Sequence, residues 1–317
     1  MSQSLQFIRV LSDGRPGHEN QSVGLAEALV RRTGARLDIV RFAKSDWLWD
    51  RYRQAVTGGE GLNLLIGAGH KTHLALCLAA RRLRAKSVVI MSPTWPVWFF
   101  DLCLAPQHDL RARLRTNRRV VTTFGALNRL PEQIPVKQPL GIVLVGGPSR
   151  HHGWDEGPLT AAIRAVIASR PELIWTVGDS RRTPAGFLDR LQTAGCRAQY
   201  APHAQTTSAW LPAQLLASQE AWVTEDSISM AFEAVTAGAR AGLLPVPRLR
   251  SENRVTESLR RLTQEGYATP FATWEASGRR LPPAKHLHET ARVADLVLER
   301  WFNADSTVER NSEGAKT

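Results

Sequence analysis

Five stretches of the chain gather residue types that can bind an anion or move a proton. The first is Ser12-Asp13-Gly14-Arg15-Pro16-Gly17-His18-Glu19-Asn20-Gln21. Gly14 and Gly17 let backbone approach a ligand, and the N–H groups at a helix start favour negative charge. His18 or Glu19 in that first turn can take a proton from an acceptor hydroxyl. Asp13 and His70 are the next candidates. The plain alternative is a strand-to-helix connection in which Glu19 complements the helix dipole. The second stretch, Gly67-Ala68-Gly69-His70-Lys71-Thr72, fails two motif tests. His70 stands where a nucleoside-triphosphatase loop needs glycine, and Thr72 stands where the dinucleotide fingerprint needs it. A generic anion-binding turn around Gly69, His70 and Lys71 survives. His70 and His73 share a helix face, but no carboxylate lies close by in sequence, so no metal site is expected.

The other three stretches lie in the second half. Gly146-Gly147-Pro148-Ser149-Arg150 follows an apolar run. Gly178-Asp179-Ser180-Arg181-Arg182-Thr183-Pro184 crowds two hydroxyls and two arginines before a helix start. Arginine suits bidentate phosphate binding. Thr224-Glu225-Asp226-Ser227-Ile228-Ser229-Met230-Ala231-Phe232-Glu233 is the sharpest piece. Asp226 is expected to cap a helix, and Ser227 with the first free N–H groups can hold a phosphate. Ser229 and Glu233, four apart, are expected to share a face with Asp226. Such a polar stripe suits a nucleotide, with phosphates at the helix end and ribose hydroxyls on a carboxylate, and Glu225 beside it is a further substrate-binding candidate. A well-capped amphipathic helix is the blander alternative.

These loops need elements to hold them. Apolar runs at 7–11, 37–42, 62–66, 87–91, 102–104 and 119–123 alternate with helical periodicity. After a proline-rich stretch at 130–140, expected as a linker, the alternation restarts at Ile142. Continuous apolar runs between helices indicate parallel sheets covered on both faces. The fold expected is therefore α/β, two doubly wound Rossmann-like lobes facing a central cleft. Residues 1–132 form the first lobe, 139–303 the second, and 304–317 a polar tail expected to be disordered. Ligands in such sheets bind beyond the carboxyl ends of the strands, where all five stretches fall.

With 317 residues, 43% hydrophobic and 22% charged, the chain reads as globular. Its net charge of +12 favours anionic partners. No helix-turn-helix, aromatic ribonucleoprotein or zinc-finger signature is present, so nucleic acid is not an expected partner. Cys77, Cys103 and Cys196 are too few and too far apart for a disulfide framework. No signal peptide and no apolar stretch of spanning length are visible, which predicts a cytoplasmic protein. Peripheral contact with the inner face of the membrane stays open. Pro93-Thr94-Trp95-Pro96-Val97-Trp98-Phe99-Phe100 is either core or an apolar lip for a lipid-linked acceptor. Arginines 111, 113, 115, 118 and 119 form a basic run, either a solvated face or an attraction to an anionic leaflet.

Three blocks resemble one family. They are Asp13-Gly-x-x-Gly17-His18-Glu19-Asn20-Gln21 with Gly24 to Leu29, Ser180 to Pro184, and Thr224 to Met230 with Glu233, Ala234 and Gly238. All three resemble the mitochondrial-fission ELM-like family. Its plant members act in mitochondrial fission, and its bacterial members are described as candidate glycosyltransferases. The resemblance implies a GT-B-like pair of lobes, with the nucleotide-sugar in the C-terminal lobe and the acceptor in the N-terminal one. It also implies no metal or other cofactor, since helix ends and basic side chains stabilise the leaving diphosphate. No Asp-x-Asp triplet occurs in the chain, in keeping with this. The reading is a glycosyltransferase that moves a sugar from a nucleoside-diphosphate donor to a glycan or lipid-linked acceptor, in envelope synthesis. The donor would meet Gly146, Gly147, Ser149, Ser180, Arg181, Arg182, Thr183, Asp226 and Ser227, with Glu233 on ribose or sugar hydroxyls. The rivals are a nucleoside-diphosphate-sugar epimerase and a non-catalytic scaffold. Oligomeric state, donor base, sugar and acceptor are left open.

Overall fold

The structure, a computed structural model, describes residues 4–106, 116–249 and 254–302. Arg111, Arg113, Arg115 and the expected tail 304–317 lie outside the described residues.

The chain forms two compact units, Met1–Arg129 with Glu289–Thr317, and Leu130–His288. The first unit runs β1 (Phe7–Ser12), α1 (Pro16–Thr33), β2 (Arg36–Arg41), α2 (Leu48–Val56), β3 (Leu64–Ala68), α3 (His73–Leu83), β4 (Lys86–Ile90), β5 (Leu102–Pro106) and β6 (Val120–Thr123). Its sheet has six strands in the order β2-β1-β3-β4-β5-β6. The pairings are parallel throughout. Every residue of β1, β3 and β5 is buried, as a strand covered on both faces requires. α1 opens on Pro16, whose missing N–H is no loss in a first turn, and stops at Gly34, which takes the left-handed φ of 70°.

The second unit runs β7 (Gln138–Leu144), α4 (Glu156–Ser169), β8 (Ile174–Gly178), α5 (Phe187–Thr193), β9 (Gln199–Ala201), α6 (Trp210–Ala217), β10 (Ser218–Thr224), α7 (Ile228–Thr236), β11 (Arg240–Leu244), α8 (Arg254–Gln264), β12 (Ala268–Pro270) and α9 (Phe271–Ala276). Its six strands pair in the order β12-β11-β10-β7-β8-β9, again all parallel. Trp175 and Trp222 lie buried over strand glycines: a Cβ at Gly141 would overlap Trp175, and one at Gly242 would overlap Trp222. α10 (Glu289–Trp301) then returns to the first unit.

Three expectations are corrected, and one helix is added. The second lobe does not extend to residue 303. Val293, Ala294 and Val297 of α10 are fully buried in the first unit's core with Val23, Leu25 and Leu29 of α1. The stretch 130–140 is not a free linker. β7 begins inside it, and Lys137 donates to the carbonyls of Leu215, Leu216 and Ala237 at 3.0, 2.9 and 2.6 Å. α2 was not foreseen, because only Ala55 of its nine residues is buried and its apolar pattern is correspondingly thin. α7 starts at Ile228 rather than Asp226, for a reason that lies in the site itself.

Candidate functional site

In the first unit, β1 ends at Ser12 and α1 begins at Pro16, so the intervening loop sits at the carboxyl end of the sheet. Gly14 takes φ 74°, and its N–H donates to the Ser12 hydroxyl at 3.1 Å. That turn aims Asp13 back at the first turn of α1. His18 Nδ1 lies 3.0 Å from Asp13 Oδ2 and 3.2 Å from Oδ1. The Asp13 side chain has no exposed surface and that of His18 is 17% exposed. A carboxylate accepts, so Nδ1 carries the hydrogen, and in the neutral ring Nε2 is then the acceptor. Gly69, after β3, closes over this pair: a Cβ there would overlap His18 Nδ1 and meet Asp13 Oδ2 at 2.7 Å, and its φ is 86°. The glycine of the failed phosphate loop therefore makes room for an Asp–His pair.

Glu19, the other candidate base, is differently placed. Its Oε1 accepts from Arg41 Nη2 at 2.7 Å, and its Oε2 accepts from the Ser12 hydroxyl at 2.6 Å. The Arg41 guanidinium holds the Glu19 carboxyl below its ordinary range. Asn20 is half-buried one residue on, and Gly17 has open space around it. His70 is exposed in a 3₁₀ turn, His70–Thr72, that precedes α3. His73 is buried, faces the Thr94 hydroxyl at 3.2 Å, and stacks edge-on to Phe100. Burial, with His70 and His18 nearby, pushes its pKa down to about 4.

In the second unit, three loops at the carboxyl ends of β7, β8 and β10 are laced together. Gly146 N–H donates to the Thr224 hydroxyl at 2.7 Å, and Gly147 N–H to Asp226 Oδ2 at 3.0 Å. Thr183 donates its hydroxyl to the Gly146 carbonyl, and the Ser180 N–H donates to Thr183 Oγ1 at 2.9 Å. Arg182 donates to the Gly147 carbonyl at 2.9 Å and pairs with Asp226 at 2.6 Å. Both glycines are needed: a Cβ at Gly146 would overlap the Asp226 carboxylate, and one at Gly147 the Arg182 carbonyl.

This lacing corrects two linked expectations, the cap and the polar stripe that starts from it. The buried Asp226 carboxylate turns to Gly147 and Arg182 and does not cap α7; Ser227 holds the cap position instead, without a side-chain cap bond. The polar stripe therefore runs only from Ser229, which is exposed, to the half-buried Glu233. Arg182 holds the loops and, like the exposed Arg181, also borders open space. Ser149 closes its own loop by accepting from the His151 and His152 N–H groups, and Glu225 pairs with Arg248 at 2.8 Å. What remains open is a cavity of about 420 Å³ lined by Ser180, Arg181, Arg182, Ser227 and Met230. It lies against the first turn of α7, whose leading N–H groups have no acceptor within the helix.

Sequence reasoning missed Arg41 and Arg248. Each reaches its partner across strands or loops, and nothing in local spacing marks it.

Two parallel, doubly wound six-stranded units with the second one laced around a helix start are the GT-B architecture. The sequence profile of the family described as Mitochondrial fission ELM1 matches residues 16–301, and the chain belongs to that family. No protein of curated function matches the sequence. Among solved structures, a candidate UDP-N-acetylglucosamine 2-epimerase of Listeria monocytogenes is similar at a TM-score of 0.58 and 12% identity, over 93% of this chain and 95% of that one. MurG of Acinetobacter baumannii gives 0.51 and 12%, over 93% and 99%. The UDP-GlcNAc 2-epimerase of Neisseria meningitidis, solved with UDP-GlcNAc bound, gives 0.52 and 11%, over 93% and 99%. At these identities the likeness is one of fold. No helix among the described residues is long and apolar enough to cross a membrane.

Proposed function

We propose that this GT-B protein is a glycosyltransferase that takes a sugar from a nucleoside-diphosphate donor and passes it to a glycan or lipid-linked acceptor without a metal. One observation carries the reading. The Ser180–Thr183 loop, braced by Gly146, Gly147 and Asp226, presents Arg181 and the Ser227 hydroxyl around an open cavity at a helix start. That set binds a diphosphate: the guanidinium supplies a fork of donors, and the helix N–H groups add unpaired ones. As the sugar leaves, negative charge grows on the diphosphate, and the same donors stabilise it. In the first unit, His18 is the base. Asp13 orients its ring, and Nε2 takes the acceptor hydroxyl's proton as that oxygen attacks the anomeric carbon. Glu233 is the carboxylate for ribose or sugar hydroxyls. Cytoplasmic residence with peripheral membrane contact completes the reading.

A thermal-shift screen against nucleoside diphosphates and nucleotide sugars, with and without chelator, tests it. Stabilisation by a nucleotide sugar that survives chelator is expected. Shifts seen only with magnesium or manganese overturn the metal-free part. No response to any nucleotide overturns the donor site. Release of a free epimerised nucleotide sugar without acceptor replaces transfer by epimerisation.

A further inference from the structure

Tryptophan carries a large apolar ring, so a fully exposed one leaves much apolar surface in water. Yet Trp47, Trp49 and Trp98 are 80, 64 and 66% exposed, while Trp175, Trp222 and Trp274 are buried. All three exposed rings belong to one layer of the first unit. α2, α3 and the segment at 93–100 cover the same sheet face, where Ala55, Ala75, Ala79, Val97 and Phe100 share one core. Tyr52 of α2 meets Trp49 edge-on, with centroids 6.1 Å apart. Trp98 stacks on Phe99, and Arg81 of α3 lies 5.5 Å over the Phe99 ring.

The layer is basic as well as aromatic. From Lys44 to Arg84 the chain has seven Lys and Arg (44, 51, 53, 71, 81, 82, 84) against three acids (46, 50, 60), and 7 − 3 gives +4. Two of the acids are turned to their own chain: Asp46 accepts from the Ala43 N–H at 2.7 Å, and Asp50 from the Trp47 N–H at 3.1 Å. Lys44, Arg53, Arg81, Arg82 and Arg84 are exposed.

We propose that this face docks on the surface of an anionic lipid bilayer, with Trp47, Trp49 and Trp98 seated at headgroup level and the flanking Lys and Arg on acidic headgroups. The chemistry selects this occupant. Tryptophan has an apolar body and a polar N–H edge, which is what a membrane–water boundary accepts. Basic side chains beside it meet the negative leaflet. A protein partner uses aromatic anchors that converge in a packed centre. Here the rings stand on two separate segments, α2 with its lead-in residue and the turn Val97–Phe99. The docking does not depend on the glycosyltransferase reading, although a lipid-linked acceptor would give it a purpose.

The test is sedimentation of the full chain with phosphatidylcholine vesicles, with and without phosphatidylglycerol. Binding to the anionic vesicles, weakened by salt, is expected. Tryptophan emission should be quenched by lipids brominated near the headgroup. The triple variant Trp47→Ala, Trp49→Ala, Trp98→Ala should lose roughly tenfold or more of the partition, because binding follows buried apolar area as well as charge. Its unfolding midpoint and its nucleotide response, measured on the same samples, should match the parent. No binding to anionic vesicles, or equal binding by the triple variant, overturns the proposal. Self-association that the triple variant abolishes, without vesicle binding, assigns the face to a second copy instead. Vesicle binding without any nucleotide response leaves the docking standing and removes the donor site.

Discussion

His18 and Glu19 are neighbours in sequence, and what separates them as bases is how many of their atoms are already bonded. His18 uses Nδ1 on Asp13 and keeps Nε2. Both oxygens of Glu19 are held, by Arg41 and by the Ser12 hydroxyl, and its pKa is depressed. A base with a depressed pKa accepts a proton poorly near neutrality. Replacing His18 by Ala is therefore expected to slow turnover by ~10²–10⁴-fold with nucleotide affinity nearly unchanged. Asp13→Asn should slow turnover too, because an amide can favour the wrong ring tautomer. Glu19→Gln should mainly lower stability, since it loses the Arg41 ion pair. Turnover and nucleotide affinity measured on the same three variants decide it: a wild-type rate in His18→Ala removes that residue as the base.

Elements differ in how openly the sequence announces them. Strands buried on both faces, such as Leu64–Ala68 and Leu102–Pro106, read as plain apolar runs. The packing partner of α10 was not legible, because a period says which face is apolar and not which sheet it covers. The carboxylate of Asp226 was misread for a related reason. Its type and place fit a cap, but the competing partners, Gly147 N–H and Arg182, arrive from loops about 80 and 44 residues away in sequence. His73 shows the same limit in α3: spacing puts it on one face with His70, and the fold separates them, His70 exposed and His73 buried against Phe100. Its pKa of about 4 against an ordinary 6.5 has a consequence for stability. The unfolded chain binds the proton at higher pH than the folded one. Stability is therefore lost as pH falls from 6.5 towards 4, by up to ~3 kcal/mol for this group. His73→Phe should flatten that stretch of the curve of denaturation midpoint against pH. An unchanged slope between those values would mean that other groups set it.

At the scale of the whole chain, the last described helix belongs to the first unit, so that unit is closed only after the chain has passed through the second. Val293 and Val297 are fully buried in its core. Burying such side chains contributes ~1.5–3 kcal/mol each. Around them, Glu289 accepts from the Phe124 N–H at 2.9 Å, and the Thr290 hydroxyl both accepts from and donates to the Asn128 backbone at 3.1 Å. Arg32 pairs with Asp295 at 2.5 Å. Removal of α10 opens the core and strands these polar groups together, a loss comparable with the ~5–15 kcal/mol that holds a typical domain folded. The second unit, Leu130–His288, contains the whole proposed donor site and no part of α10. A chain ending at His288 should thus keep a folded, nucleotide-responsive second unit while the first loses its cooperative structure. Hydrogen exchange followed by peptide mass analysis reads both outcomes at once. Protection is expected to vanish across β1, β3 and β4 and to persist across β7, β10 and β11. Persistent protection of β1 and β3 in the shortened chain would show that α10 is dispensable to the first unit, and loss of the nucleotide response would show that the second unit alone does not make the donor site.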